Sequence, residues 1–184
     1  YTITSILGQG GKIDSFGVGE RLITAKSDPV FGAVYKLVAV EKDGSFAPRI
    51  KVSENAEKIT NPGLKQVYRV YDENGKSVAD LIACADEEVD LTKPYRYIDQ
   101  TKPWAVRYFK NCTCKKLLIK VMENGRTIGE RKTIAKIREY VEKQLADEVW
   151  AEEQRFENPH IHYMDMSPAL YELKMEMLTS FRQG

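Results

Sequence analysis

Two glycines flanking one apolar residue, Gly17-Val18-Gly19, are followed seventeen residues after Gly19 by Lys36. Backbone N–H groups exposed at a glycine turn, with a cation on a neighbouring strand, hold a phosphate: the amides supply oriented donors and the ammonium matches the charge. The alternative is a tight turn in which the glycines only provide positive φ. Two more lysines, Lys51 and Lys58, lie in Arg49-Ile50-Lys51-Val52-Ser53-Glu54-Asn55-Ala56-Glu57-Lys58. They can serve the same anion, or they form a solvated edge of alternating charge.

Other chemistry-bearing residues are weaker candidates. Cys112-Thr113-Cys114 with a distant Cys84 lacks the C-x-x-C spacing of a zinc site, and His160-Ile161-His162 lies far from it in sequence. No metal site is expected. His160, in Asn158-Pro159-His160, has no Ser or Cys nucleophile partner and reads as a hydrogen-bonding loop residue between helices. Lys102, Arg107, Lys110, Lys115, Lys116 and Lys120 are interleaved with Trp104, Tyr108 and Phe109, and residues 100–122 contain no acidic residue. That pattern can bind single-stranded nucleic acid. The competing reading is one solvated strand face, with Leu117, Ile119 and Val121 turned inward. The near-neutral total, Lys+Arg 28 against Asp+Glu 27, favours the latter, so no nucleic-acid partner is expected.

The elements that must position these residues fall into three stretches. Residues 1–40 alternate a helix end with Ile3, Ile6 and Leu7 on one face, a short buried strand ending in the glycine turn, a loop, and a strand over Gly32–Val38. That is the rhythm of an α/β layer or barrel. Residues 41–130 read as antiparallel β. Strand-like runs over Tyr35–Val40, Arg49–Val52, Gln66–Tyr71, Val78–Ala83 and Lys116–Met122 are punctuated by Asp43-Gly44, Glu73-Asn74-Gly75 and Glu123-Asn124-Gly125, where Asn and Gly tolerate positive φ. Residues 131–184 are helical. Thr133 caps a helix over 133–156 with an apolar stripe of Ile134, Ile137, Val141, Leu145 and Val149, and Pro159 ends it. Ser167-Pro168 opens a second helix with Leu170, Leu173, Met177 and Phe181 on its apolar face.

The chain has 184 residues, 42% hydrophobic and 30% charged, and no apolar run approaches the ~20 residues that span a bilayer. Three cysteines suit a reducing compartment better than a disulfide framework, so a cytoplasmic location is expected. The helix at Tyr1 has no cap in front, which leads to the expectation that a longer polypeptide precedes it.

In this order the stretches resemble the C-terminal part of the nicotinate phosphoribosyltransferase family, nearly end to end. The residues that carry the resemblance are Gln9-Gly10-Gly11-Lys12-Ile13-Asp14 through Gly17-Val18-Gly19, then Gly32–Val38. They continue with Lys51–Gly63, Lys65-Gln66-Val67-Tyr68-Arg69, Asn158-Pro159-His160 and Tyr163–Ser167. The resemblance implies an α+β segment that completes an irregular α/β phosphoribosyltransferase barrel, plus antiparallel strands and two C-terminal helices. It implies an enzyme that joins nicotinate to phosphoribosyl pyrophosphate with ATP hydrolysis and Mg2+, using a phosphohistidine, with its active site at a homodimer interface. It also implies phosphate-binding roles for Gly17, Val18, Gly19, Glu20, Lys36, Lys51 and Lys58. Glu20 departs from the threonine common there, so its backbone N–H rather than its carboxylate would face the anion. Neither His160 nor His162 matches the phosphohistidine motif. The catalytic histidine, the nicotinate site and the metal ligands are expected before Tyr1, and the isolated segment is expected to be inactive. The remaining alternatives are a nicotinamide- or quinolinate-using relative, a non-catalytic interface module, and an RNA-binding β domain.

Overall fold

The strongest local signal in the chain is Asp72-Glu73-Asn74-Gly75-Lys76, and it closes the central hairpin. A computed structural model describes residues 2–30, 32–99, 102–155 and 157–183, with the side chains of Val106, Arg182 and Gln183 outside that description. Residues 1–35 and 36–184 form two compact units.

In the larger unit, strands β3 (Lys65–Tyr71) and β4 (Ser77–Cys84) pair antiparallel, from Lys65 opposite Cys84 to Tyr71 opposite Ser77. Gly75 adopts φ 78°, and the Asp72 carboxylate accepts the N–H groups of Asn74 and Lys76, both at 2.9 Å. This is the Asx geometry that lets a short turn replace ladder bonds. Around the hairpin stand β5 (Tyr95–Ile98), β6 (Val106–Phe109), β7 (Thr113–Lys116) and β10 (Met164–Met166), in the sheet order β6-β5-β10-β4-β3-β7. All pairings are antiparallel except β10 with β4.

Alternation on β3 and β4 sends Tyr68, Val70, Ala79, Leu81 and Ala83 into a core shared with Leu91 and Tyr97. A second cluster, Ile98, Met166 and Leu170, joins the sheet to the last helix, α4 (Pro168–Gln183). The entry of α4 is capped as its Ser-Pro start requires: Ser167 Oγ accepts the Leu170 N–H at 3.2 Å and donates to Glu87 at 2.6 Å. Glu87 also accepts from the Tyr95 hydroxyl at 2.7 Å. The mixture of sheet and helices is α+β, as expected.

The hairpin signals at Asp43-Gly44 and Asn124-Gly125 are also realised. They join β1 (Ala39–Lys42) to β2 (Ser45–Pro48) and β8 (Met122–Glu123) to β9 (Arg126–Thr127). All four turn residues have positive φ. Helix α3 (Ile134–Asp147) begins at the expected cap, Thr133, whose hydroxyl accepts the Lys136 N–H at 3.3 Å.

Several expectations fail. Residues 9–19 are not a buried strand. They follow helix α1 (Thr2–Gly8), which ends with Gly10 at φ 85°, Gly11 N–H on Ile6 O and Gly10 N–H on Leu7 O, both at 3.0 Å. This is a Schellman end, so the first glycines of the run close a helix. Residues 32–38 and 49–52 are not strands, and the 116–122 strand is interrupted between β7 and β8. A strand needs a continuous ladder, and these stretches make only isolated backbone bonds among the described residues, such as Arg49 N–H to Val38 O and Leu117 N–H to Val67 O, both at 2.8 Å. Ile119 and Val121, expected inside, are exposed. The 133–156 helix stops at Asp147, and Phe156, like the presumed helical start Tyr1, lies outside the described residues. The α3 stripe does not reach the core: Ile134, Ile137, Val141 and Leu145 are all exposed.

Candidate phosphate-binding segments

In the first unit, Gly17, Val18 and Gly19 lie in exposed chain without regular structure, and Gly19, extended at φ −86° and ψ −168°, precedes the four-residue helix α2 (Glu20–Ile23). No side chain caps that turn. Its first N–H groups therefore lack intrahelical acceptors, apart from the one Leu22 N–H places on Gly19 O at 3.1 Å. Neither Gly17 nor Gly19 has positive φ, and a Cβ built on either meets nothing within 4 Å. The positive-φ reading of these glycines is thus incorrect. Nothing within the described chain demands glycine at these two positions. The exposed Glu20 carbonyl accepts the Thr24 N–H at 2.8 Å and the Thr24 hydroxyl at 2.9 Å.

In the second unit, Lys36, Lys51 and Lys58 are all exposed. The carbonyl of Val38, two residues beyond Lys36, accepts two N–H groups at 2.8 Å each, from Arg49 and from Gly63. The segment 49–63 therefore leaves and returns to one point. Inside it, the Lys51 N–H donates to Thr60 Oγ1 at 2.8 Å and the Thr60 N–H to Lys51 O at 3.3 Å. A single 3-10 turn, Ala56–Lys58, is capped by Asn55, whose side chain accepts the Glu57 N–H at 2.9 Å. The backbone thus brings Lys51 and Lys58 onto one closed loop whose base lies beside the Lys36 segment. Lys51 sits in this loop rather than on a strand edge.

The base of the loop carries residues that spacing alone did not single out. Lys65 Nζ donates to the carbonyls of Asn61 at 2.8 Å and of Gly63 at 2.5 Å. Lys174 Nζ, on α4, donates to Asn61 Oδ1 at 2.8 Å and is 8% exposed. Burial lowers the pKa of both lysines. A signal for Lys174 was present: it follows Leu170 by four and precedes Met177 by three, so it belongs to the apolar face of its helix.

The histidines are held structurally. His160 donates its backbone N–H to Glu152 O at 3.0 Å and sets its ring edge-on to Tyr163, 5.5 Å between centroids. His162 lies between Glu153 (Nδ1 to Oε1, 3.0 Å) and Asp80 (Nε2 to Oδ1, 3.4 Å), and Asp80 is paired by two bonds with Arg69 at 2.9 and 3.0 Å. Arg107 of the basic stretch lies 3.9 Å from the Tyr163 ring centroid. Cys84, Cys112 and Cys114 are free, and burial raises each thiol pKa. Among the described residues no group of three or more His, Cys, Asp or Glu converges as a metal site would require.

The larger unit is thus an α+β assembly in which Lys51 and Lys58 sit on one backbone-closed loop. The sequence comparisons name the family. The model of the nicotinate phosphoribosyltransferase C-terminal domain matches residues 64–174, and the chain belongs to this family. The nicotinate phosphoribosyltransferase of Bacillus subtilis (strain 168) is 37% identical over 179 residues, covering 97% of this chain and 36% of that protein. That of Caenorhabditis elegans is 33% identical over 174 residues, covering 93% of this chain and 30% of that protein. The chain thus spans about a third of the length of these relatives. The fold is shared with the crystal structure of human nicotinic acid phosphoribosyltransferase, at a TM-score of 0.59 and 18% identity over 65% of this chain and 24% of that one.

Proposed function

We propose that this chain is the C-terminal portion of an enzyme that forms nicotinate mononucleotide and pyrophosphate from nicotinate and phosphoribosyl pyrophosphate, coupled to ATP hydrolysis, in NAD salvage. The observation that carries this reading is the 37% identity to a nicotinate phosphoribosyltransferase along 97% of the chain. Within that enzyme the segment anchors the 5′-phosphate. Backbone N–H groups at Gly17, Val18, Gly19 and Glu20 act as donors, and Lys36, Lys51 and Lys58 as cations. Two features support the assignment. Gly17 and Gly19 are glycine without an intrachain reason, which fits a backbone that something outside must approach closely. Lys51 and Lys58 share a loop that returns to Val38 beside Lys36.

The chemistry of the anchor is positional. Charge-assisted hydrogen bonds fix the phosphate, and the fixed phosphate holds ribose C1 where nicotinate attacks. No catalytic residue is assigned within the segment. Among the described residues the carboxylates do not converge as a Mg2+ site requires. The reading includes a homodimer, a cytoplasmic enzyme with no nucleic-acid or membrane partner, and an isolated segment that is inactive.

The test is turnover by the full-length protein with phosphoribosyl pyrophosphate, ATP and each of nicotinate, nicotinamide and quinolinate. The expected result is nicotinate mononucleotide from nicotinate only, with ATP consumed. Preference for either other base assigns a different phosphoribosyltransferase, and no turnover at all leaves an interface module.

A further inference from the structure

The loop that bears Lys51 and Lys58 is pinned at its returning end by two other lysines, and neither points its ammonium at solvent. Lys65 Nζ gathers the carbonyls of Asn61 and Gly63, with Pro62 O at 3.4 Å. Lys174 reaches from α4 to the Asn61 side chain at 2.8 Å, with 8% of its own surface exposed. Between these anchors Gly63 holds φ 81°, and a Cβ there would stand 3.4 Å from Leu173 Cδ2, on the same helix as Lys174. The Gly63 N–H then closes on Val38 O at 2.8 Å, the oxygen shared with Arg49. The chain of contacts runs from helix α4 through Lys174, Asn61 and Gly63 to Val38, two residues from Lys36.

An amphipathic helix loses stability by burying an ammonium where a methionine would pack, unless the charge has an acceptor to hold. Here the acceptors are a loop side chain and loop carbonyls. We propose that Lys65 and Lys174 are positioning residues for phosphoribosyl pyrophosphate, fixing the Asn61-Pro62-Gly63 base so that Lys36, Lys51 and Lys58 present one cationic surface to its phosphate. This rests on the phosphate-anchoring reading above. Neither positioning lysine touches the substrate; each acts through the loop.

The experiment is steady-state kinetics of the full-length enzyme, below the melting temperature of every variant. Lys174→Met and Asn61→Ala each raise KM for phosphoribosyl pyrophosphate about 5- to 10-fold, a modest misplacement by the standard of positioned groups. KM for nicotinate stays unchanged. The double variant costs less than the sum of the two single ones, because the Lys174–Asn61 bond is shared by both. Lys65→Met, which takes the ammonium from the Asn61 and Gly63 carbonyls, raises the same KM; if it does not fold, Lys65→Gln is measured in its place, and an unchanged KM there overturns the role of Lys65. A purely structural role lowers the melting temperature and leaves both KM values in place. Lys36→Ala, Lys51→Ala and Lys58→Ala are measured in parallel. If they raise KM for phosphoribosyl pyrophosphate while Lys174→Met and Asn61→Ala do not, the positioning role is overturned and the anchoring reading stands. If none of the three raises it, the anchoring reading fails, and the positioning role with it.

Discussion

Tyr71 shows how one side chain couples a strand to the segment after α3. Its hydroxyl donates to Glu148 Oε2 at 2.8 Å, and burial together with that carboxylate pushes the phenol up from 10.0 to about 12. The folded state therefore holds this proton more tightly than the unfolded state. The contribution is complete below about pH 10 and is lost as pH rises through about 12. Tyr71→Phe abolishes that bond, so its melting temperature falls relative to the wild type near neutrality and the gap narrows between pH 10 and 12. A constant gap across the range contradicts the assignment. At the same scale, the Arg69–Asp80 pair has side chains 24% and 12% exposed. Arg69→Met leaves the Asp80 carboxylate without its bidentate partner and next to His162 alone. A loss of about 1–3 kcal/mol is expected in chemical denaturation; no change would mean that solvent already screens the pair.

The elements legible in the sequence are those specified locally. Three hairpin turns and the caps at Thr133 and Ser167 form where their residue types require, because an Asx bond, a left-handed glycine or a hydroxyl cap involves only near neighbours. The strand readings at 9–19 and 32–38 did not survive, because β structure needs a partner ladder that a single stretch cannot reveal. The Schellman end at Gly10-Gly11 closes α1 inside the run read as strand, because a glycine carries no mark of the element it ends. Lys51 and Lys58 were found as residue types, but their closure into one loop depends on the Val38 carbonyl and on Thr60, which no periodicity marks. Gly63 is the element-scale test of that closure. Gly63→Ala places a Cβ at φ 81° and 3.4 Å from Leu173, so a loss of about 1–2 kcal/mol is expected. An unchanged stability would show that the loop base relaxes freely.

At the scale of the whole molecule, the proposed division of labour gives this segment the substrate's phosphate. It has a sheet with a packed core, a helix tied to that core, and a set of lysines on loops, and among the described residues no three His, Cys, Asp or Glu side chains converge as a metal site would require. Ile134, Ile137, Val141 and Leu145 of α3, with Ile119 and Val121, remain exposed, although their spacing is that of a buried face. A segment that spans about a third of its relatives' length can anchor a substrate while the bond-making groups come from elsewhere. The measurement that tests this account most directly is the affinity of the full-length protein for phosphoribosyl pyrophosphate with and without Lys36. The account predicts that Lys36→Ala weakens that affinity by about 10- to 100-fold, the range expected for one charge-assisted bond to phosphate, and leaves nicotinate binding intact. An unchanged affinity would contradict it.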